Sequence, residues 1–153
     1  MPDIAIISPR IPVMSERAIA KVRELETEAA KLPQVPIDTG HIIHGGMYAR
    51  MVFIPADVLI TGVQAKPATM LIVQGDVLAY IGDSGAVRFE GYNVLPAAAG
   101  RKQAFLALAD TWLTMLFPTD AKTVEEAERQ FTDETDLLAS RRDGLNHVLI
   151  TGE

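Results

Sequence analysis

"TMLIVQGDVLAYIGDSGAVRFEGYNVLPAAAG", residues 69–100, breaks into short apolar runs separated by glycine and aspartate. Strands of this length with turn residues between them predict an all-β sandwich or barrel rather than alternating β-α-β units. "QGD" and "GDSG" read as tight turns, where glycine takes a positive φ without the steric cost other residues carry. Ser84 lies in the second of these. A hairpin turn accounts for it, since no histidine or acid is tied to it by the spacing a serine nucleophile needs. The run from Met70 to Val73 is apolar without alternation, which suits a strand covered on both faces.

The same rhythm extends in both directions. "YARMVFIP" and "VLITGV" precede the stretch, and "KQAFLALAD" and "TWLTMLFPT" follow it, so the barrel is expected over residues 40–118. Before it, residues 1–14 carry three prolines and read as an extended arm. Residues 15–32 read as a helix: Ala18, Val22, Leu25, Ala29 and Leu32 share one stripe, Ser15 caps it and Pro33 ends it. After the barrel, residues 123–142 read as a second, amphipathic helix. Thr123 and Glu126 form a capping box, Val124, Ala127, Phe131 and Leu138 make the apolar stripe, and Arg141 and Arg142 complement the helix dipole. Residues 143–153 read as an extended tail able to add an edge strand.

Composition narrows the function classes. Charged residues make up 22% and hydrophobic ones 48%, a globular balance. With no cysteine, disulfides, thiolate metal sites and a cysteine nucleophile are excluded. Fourteen Lys and Arg stand against 20 Asp and Glu, a net charge of -6, so a nucleic-acid partner is not expected. "GRK" at 100–102 and "SRR" at 140–142 read as ordinary solvated basic spots. No apolar stretch reaches the ~20 residues of a membrane span. The start lacks the basic region and apolar core of a secretory signal peptide, so export by that route is not expected.

Taken together, "IPADVLITG", "TMLIVQGDVLAYIGDSG" and "GYNVLPAAAGRKQAF" resemble the cupin pattern, over roughly residues 47–118. The resemblance implies a double-stranded β-helix, or jelly-roll, barrel and a mainly β chain. It also implies where metal ligands would fall: histidines near Gly62 and Gln64, a carboxylate at Ala68, and a histidine at Gln103. None of these can bind a metal as that family does. More narrowly, "HGGMYAR" ahead of the barrel and "AKTVEEAERQFTDETDLLASR" behind it are similar to small cupin-like proteins encoded by tailed phages and prophages. That similarity implies a virion component, a capsid decoration or tail-associated subunit, located in the virion or the host cytoplasm. Its partners would be copies of itself and other virion proteins.

His41 and His44 are the candidate metal ligands; on a strand their spacing points them to opposite faces, so only an irregular loop would let both reach one ion. Hydrogen bonding to backbone or packing at an interface accounts for them more simply. Arg50, Arg88, Glu90, Tyr92 and Arg101 are candidates for a polar ligand at a barrel mouth. Asp133, Glu134 and Asp136 read as a solvated acidic face. Trp112 and Met47, Met51, Met70 and Met115 read as core or interface filler. The sequence points to a non-enzymatic structural protein without a cofactor that acts by oligomeric assembly. The alternative is a small-molecule-binding or metal-dependent cupin enzyme with an unusual site at His41 or His44.

Overall fold

The computed structural model describes residues 10–142 and 144–153; most of the expected arm, residues 1–9, lies outside the described residues. The chain runs α1 (Glu16–Ala29), β1 (Thr39–His44), β2 (Met47–Ile54), β3 (Leu59–Gln64), β4 (Thr69–Gly82) and β5 (Gly85–Ala97). It continues with β6 (Lys102–Ala107), β7 (Thr111–Pro118), α2 (Val124–Phe131) and β8 (Asn146–Ile150). The strands form one curled sheet in the order β3-β6-β4-β7-β2-β1-β8, with β5 on the other edge of β4. All pairs are antiparallel except β1 with β8. This is a mainly β, cupin-like jelly roll with one helix before the barrel and one after it.

The opening stretch is longer and simpler than its turn residues suggest. "GDSG" is the expected hairpin turn, between Gly82 and Gly85. "QGD" is not a turn: β4 runs unbroken through it for 14 residues. Gly75 instead marks a bend. Before it, Met70–Gln74 pair with β7; after it, Val77–Tyr80 pair with β6. Gly91 lies directly opposite on β5, and both glycines have positive φ, 147° and 79°. The β4–β5 hairpin thus belongs to both halves of the barrel and folds over at this glycine pair. A second glycine pair closes β1 to β2: Gly45 and Gly46 have φ of 58° and 74°, the backbone of a two-residue type I′ turn.

The concave face holds the main core. Val52 and Ile54 of β2, Leu71, Val73 and Val77 of β4, Leu95 of β5, Phe105 of β6 and Leu113 of β7 are buried together. Helix α1 lies on the outside, packing Ala18 and Val22 over Ala104 of β6. Only the first half of its stripe is covered, because Leu25 and Leu32 are exposed. Helix α2 closes one end of the barrel through Ala127 and Phe131, which pack with Tyr48 and Phe117.

The second helix stops eleven residues short of the expected Arg142. Thr132 turns extended, at φ -153° and ψ 154°. Its hydroxyl donates to the Gln64 carbonyl at 2.7 Å and accepts from the Glu134 amide, side-chain bonds that compete with helix continuation. Two 3₁₀ turns follow, Thr135–Leu137 and Ala139–Arg141, and Leu138 remains buried at the barrel end.

The Gly75 bend is open to direct test. A methyl group there would lie 2.5 Å from the Thr111 hydroxyl oxygen and 2.7 Å from the Asp110 carbonyl oxygen. Gly75→Ala should therefore lower the stability to chemical denaturation by about 3 kcal/mol, from crowding together with positive-φ strain.

Candidate functional site

Three strand residues on the concave face are polar where their neighbours are apolar. His41 on β1 and Tyr48 and Arg50 on β2 are buried there. Arg50 sits opposite His41 across β1–β2 and opposite Met115 across β2–β7. Glu128 of α2 comes down on them and is itself 3% exposed. Arg50 Nη1 donates to Glu128 Oε2 at 3.1 Å and to the Tyr48 hydroxyl at 3.3 Å, and its guanidinium lies over the Phe131 ring, 5.8 Å from the centroid. The other Glu128 oxygen accepts from Arg141 at 3.1 Å, and the Ser140 hydroxyl donates to Glu128.

The hydrogen bonds fix the state of His41. Asn146 Nδ2 donates to the Ser140 carbonyl at 2.8 Å, which leaves Asn146 Oδ1 to accept from His41 Nε2 at 2.7 Å. Its Nδ1 then accepts from the Tyr48 hydroxyl at 2.6 Å. Both ring nitrogens are used with the imidazole neutral. Burial holds His41 below the ordinary imidazole pKa; the Asn146 bond opposes this and the Arg50 charge adds to it. Burial also raises the Tyr48 phenol. For Glu128 burial acts upward, but the Ser140 bond and the Arg50 and Arg141 charges outweigh it and leave the carboxylate below its usual range.

This network ties four parts of the chain together: β1–β2, α2, the second 3₁₀ turn and β8. It faces a groove of about 520 Å³ whose walls include His41, Glu128, Arg141, Val148 and Ile150. Its chemistry is that of a clamp. The imidazole is neutral and saturated, the carboxylate is neutralised, and the arginine is committed to it.

A second polar knot lies between α1 and the barrel. Lys102, fully buried, reaches Glu26 at 3.0 Å and Glu134 at 3.4 Å. Glu134 also takes Arg23 at 2.8 Å and the Gln64 amide at 2.7 Å. Burial pushes the Glu134 carboxyl up, and the Gln64 amide, Arg23 and Lys102 together bring it below the usual range.

This geometry places each candidate residue and corrects several expectations. His41 and His44 lie on opposite faces, as their spacing on a strand implies: β1 is a regular strand, so His41 points inward, while His44 points out and bonds the Thr151 hydroxyl at 2.7 Å. Arg50, Arg88, Glu90, Tyr92 and Arg101 do not form one barrel mouth. Arg50 is consumed by Glu128. Arg88 is exposed on β5 and bridges Asp76 and Glu90, and Tyr92 faces outward, 68% exposed. The "GRK" spot is not solvated, since Arg101 and Lys102 are both buried. Nor is the acidic group all solvated, since Glu134 is an anchor for α1. Of the positions where the cupin resemblance puts ligands, Gln64 turns outward to Arg23 at 2.9 Å. Gln103 lies on the face of β6 that carries Phe105 and Ala107. Among the described residues no three His, Asp or Glu side chains are grouped to hold a metal ion, and no helix is long and apolar enough to cross a membrane.

Tyr48, Lys102 and Glu128 were missed from sequence. Glu128 had a legible sign: with Val124, Ala127 and Phe131 it falls at helical spacing on the apolar stripe itself. A carboxylate there must find a buried cation.

Removing one member of a buried ion pair leaves the other uncompensated. Glu128→Ala should cost about 3–5 kcal/mol in denaturant unfolding, and an Arg50→Met, Glu128→Leu double variant should lose less than the two single variants together. The pH dependence follows from the same groups. Because the folded His41 pKa lies below its unfolded value, stability is full above roughly pH 6.5 and falls as pH drops through the folded value. Glu128 adds a further loss only below the ordinary carboxylate range. Unfolding curves between pH 8 and 5 should slope accordingly in the native chain and flatten in His41→Gln.

No family model and no curated protein sequence matches the chain. Solved structures similar to it include a cupin superfamily protein from Desulfitobacterium hafniense, 11% identical at a TM-score of 0.47, covering 60% of this chain and 87% of that one. A cupin-2 domain containing protein from Shewanella frigidimarina is 12% identical at 0.40, covering 61% and 91%. The Cupin_2 domain of an XRE family transcriptional regulator from Enterobacter cloacae is 10% identical at 0.39, covering 48% and 83%. On the strand order and shared hairpin described above, this chain has a cupin-like fold.

Proposed function

We propose that the chain is a non-enzymatic structural subunit that assembles with copies of itself through the outer face of its sheet. The particle it joins, on this reading, is a tailed-phage virion, as a capsid decoration or tail-associated component. The observation that carries the assembly reading is the character of that outer face. Register aligns His147, Gly40, Met51, Thr114, Ile72 and Val94 in one row across β8, β1, β2, β7, β4 and β5. Leu149, Ile42, Ala49, Leu116, Met70 and Pro96 make the next row, and Phe53, Trp112, Gln74 and Tyr92 a third.

These rows contain no Lys, Arg, Asp or Glu. Tyr92 is 68% exposed, Leu149 56%, Trp112 50% and Met70 42%. Antiparallel sheets ordinarily turn polar on a solvated face. Strand spacing of ~4.8 Å and row spacing of ~7 Å give a patch on the order of 500 Å², and a patch of that size often marks an interaction surface. A second copy suits it because an uncharged face meets itself without like-charge repulsion, and a two-fold axis can satisfy both copies at once. The expectation that β4 is covered on both faces is met within this chain on one face only; a sheet-to-sheet contact supplies the other. The virion setting is supported by the resemblance of "HGGMYAR" and the C-terminal segment to phage-encoded cupin-like proteins.

The groove at His41 favours a second reading, a small-molecule-binding module whose ligand lies against Val148 and Ile150. Light scattering on purified protein separates the two. The assembly reading expects a stable oligomer at micromolar concentration, and Trp112→Glu with Tyr92→Glu should yield a monomer of unchanged circular dichroism. A native chain that stays monomeric, with no incorporation into a particle, overturns it.

A further inference from the structure

Among the described residues, Arg101 is the candidate ligand residue with buried donors that meet no acceptor. It lies just before β6, 1% exposed. Its Nη1 donates to the Pro12 carbonyl at 2.6 Å and to the Ile81 carbonyl at 3.1 Å. Those bonds join the segment ahead of α1 to the end of β4 and fix the plane of the guanidinium. Its Nε and Nη2 are buried and have no partner among the described residues. No carboxylate among the described residues forms an ion pair with it, in contrast to Arg50 and Lys102.

The unused atoms are not a random pair. Nε–H and the adjacent Nη2–H form the side-on edge of the guanidinium, two parallel donors whose spacing matches the two oxygens of a carboxylate. Burial lowers the Arg101 pKa only to about 10, so the group is a cation at neutral pH. A buried cation without a counter-charge is destabilising, and a partner that supplies both charge and acceptors removes that cost. One positive charge calls for one negative charge, because a dianion would leave its own excess buried. A planar monoanion fits both the fork and the charge.

We propose that Arg101 is the anchor of a carboxylate-binding site in the seam between Pro12, the end of β4 and the start of β6. Gln103, two residues on and 8% exposed, is the next polar side chain at the same parity along that strand, Lys102 being committed to Glu26 and Glu134. The carboxylate has two sources: a free small carboxylic acid, or Asp3, the one acidic residue in 1–9. The site is independent of the assembly face, which lies on other rows of the sheet.

Thermal unfolding of the full chain tests the proposal, with formate and acetate as probes against chloride at matched ionic strength. A free ligand predicts that both carboxylates raise Tm by a few degrees in the native protein. That rise should vanish in Arg101→Lys, which keeps the charge but not the fork. Asp3 as the source predicts instead that Asp3→Asn lowers Tm in the native background, has no further effect in Arg101→Lys, and opens the site to added formate. Since Arg101→Met risks misfolding, the ¹⁵Nε–H resonance of Arg101 in the native chain gives a second reading: slow exchange with solvent and a shift on formate addition or on Asp3→Asn. Absence of both a carboxylate-specific Tm effect and an Asp3–Arg101 coupling, with that resonance unmoved, overturns the proposal.

Discussion

Strand β4 is bonded along one edge by β5 for its whole length and along the other by two different strands in turn. A flat strand cannot do this, because β6 and β7 are successive and would have to occupy the same line. The bend at Gly75, with Gly91 opposite, lets β4 leave one half of the barrel and enter the other. The concave core, the seat of α1 on β6 and the position of β7 against β2 all follow from that change of direction. Side chains are excluded at Gly75 because the β6–β7 connection packs directly onto it.

The rest of the chain is fastened to this frame by buried charge. Glu128 holds α2 and the following 3₁₀ turn to Arg50, and His41 passes the connection on to Asn146 and β8. Lys102 and Glu134 do the same for α1. Apolar contact is non-directional and would allow these peripheral pieces to slide. Paired charges and saturated amides do not, since any shift leaves a buried group without its partner.

The fold was legible in the sequence to the extent that it is written in alternation and turns. The hairpin at "GDSG" and the Ser15 and Thr123 caps are local patterns and they form, although Glu126 returns its bond to the Lys122 amide and not to that of Thr123. Where a tertiary contact overrides a local preference, the local pattern misleads. The end of α2 is set by a bond from Thr132 to a carbonyl on β3, which no pattern in residues 123–142 records. "QGD" has turn chemistry but serves as a bend, because a partner strand lies on each side of it. The burial of Arg101 and Lys102 is likewise set by elements distant in sequence: a short basic run carries no mark of what will fold over it. Of the candidate site residues, Arg50 and His41 were named for reasons of ligand binding, while their actual partners, Glu128 and Asn146, are 78 and 105 residues away.

The uncharged rows of the outer sheet have a consequence for how copies of this chain approach one another. None of the chain's charged residues lies on those rows, while the chain as a whole carries a net charge of -6. Two copies of the same net charge repel one another, and that repulsion is long-ranged at low salt. In the assembly proposed above, a sheet-to-sheet approach would bring no charged side chain of these rows against another while removing apolar area from water. Under that proposal, ionic strength would govern how often copies encounter one another far more than how firmly their sheets hold.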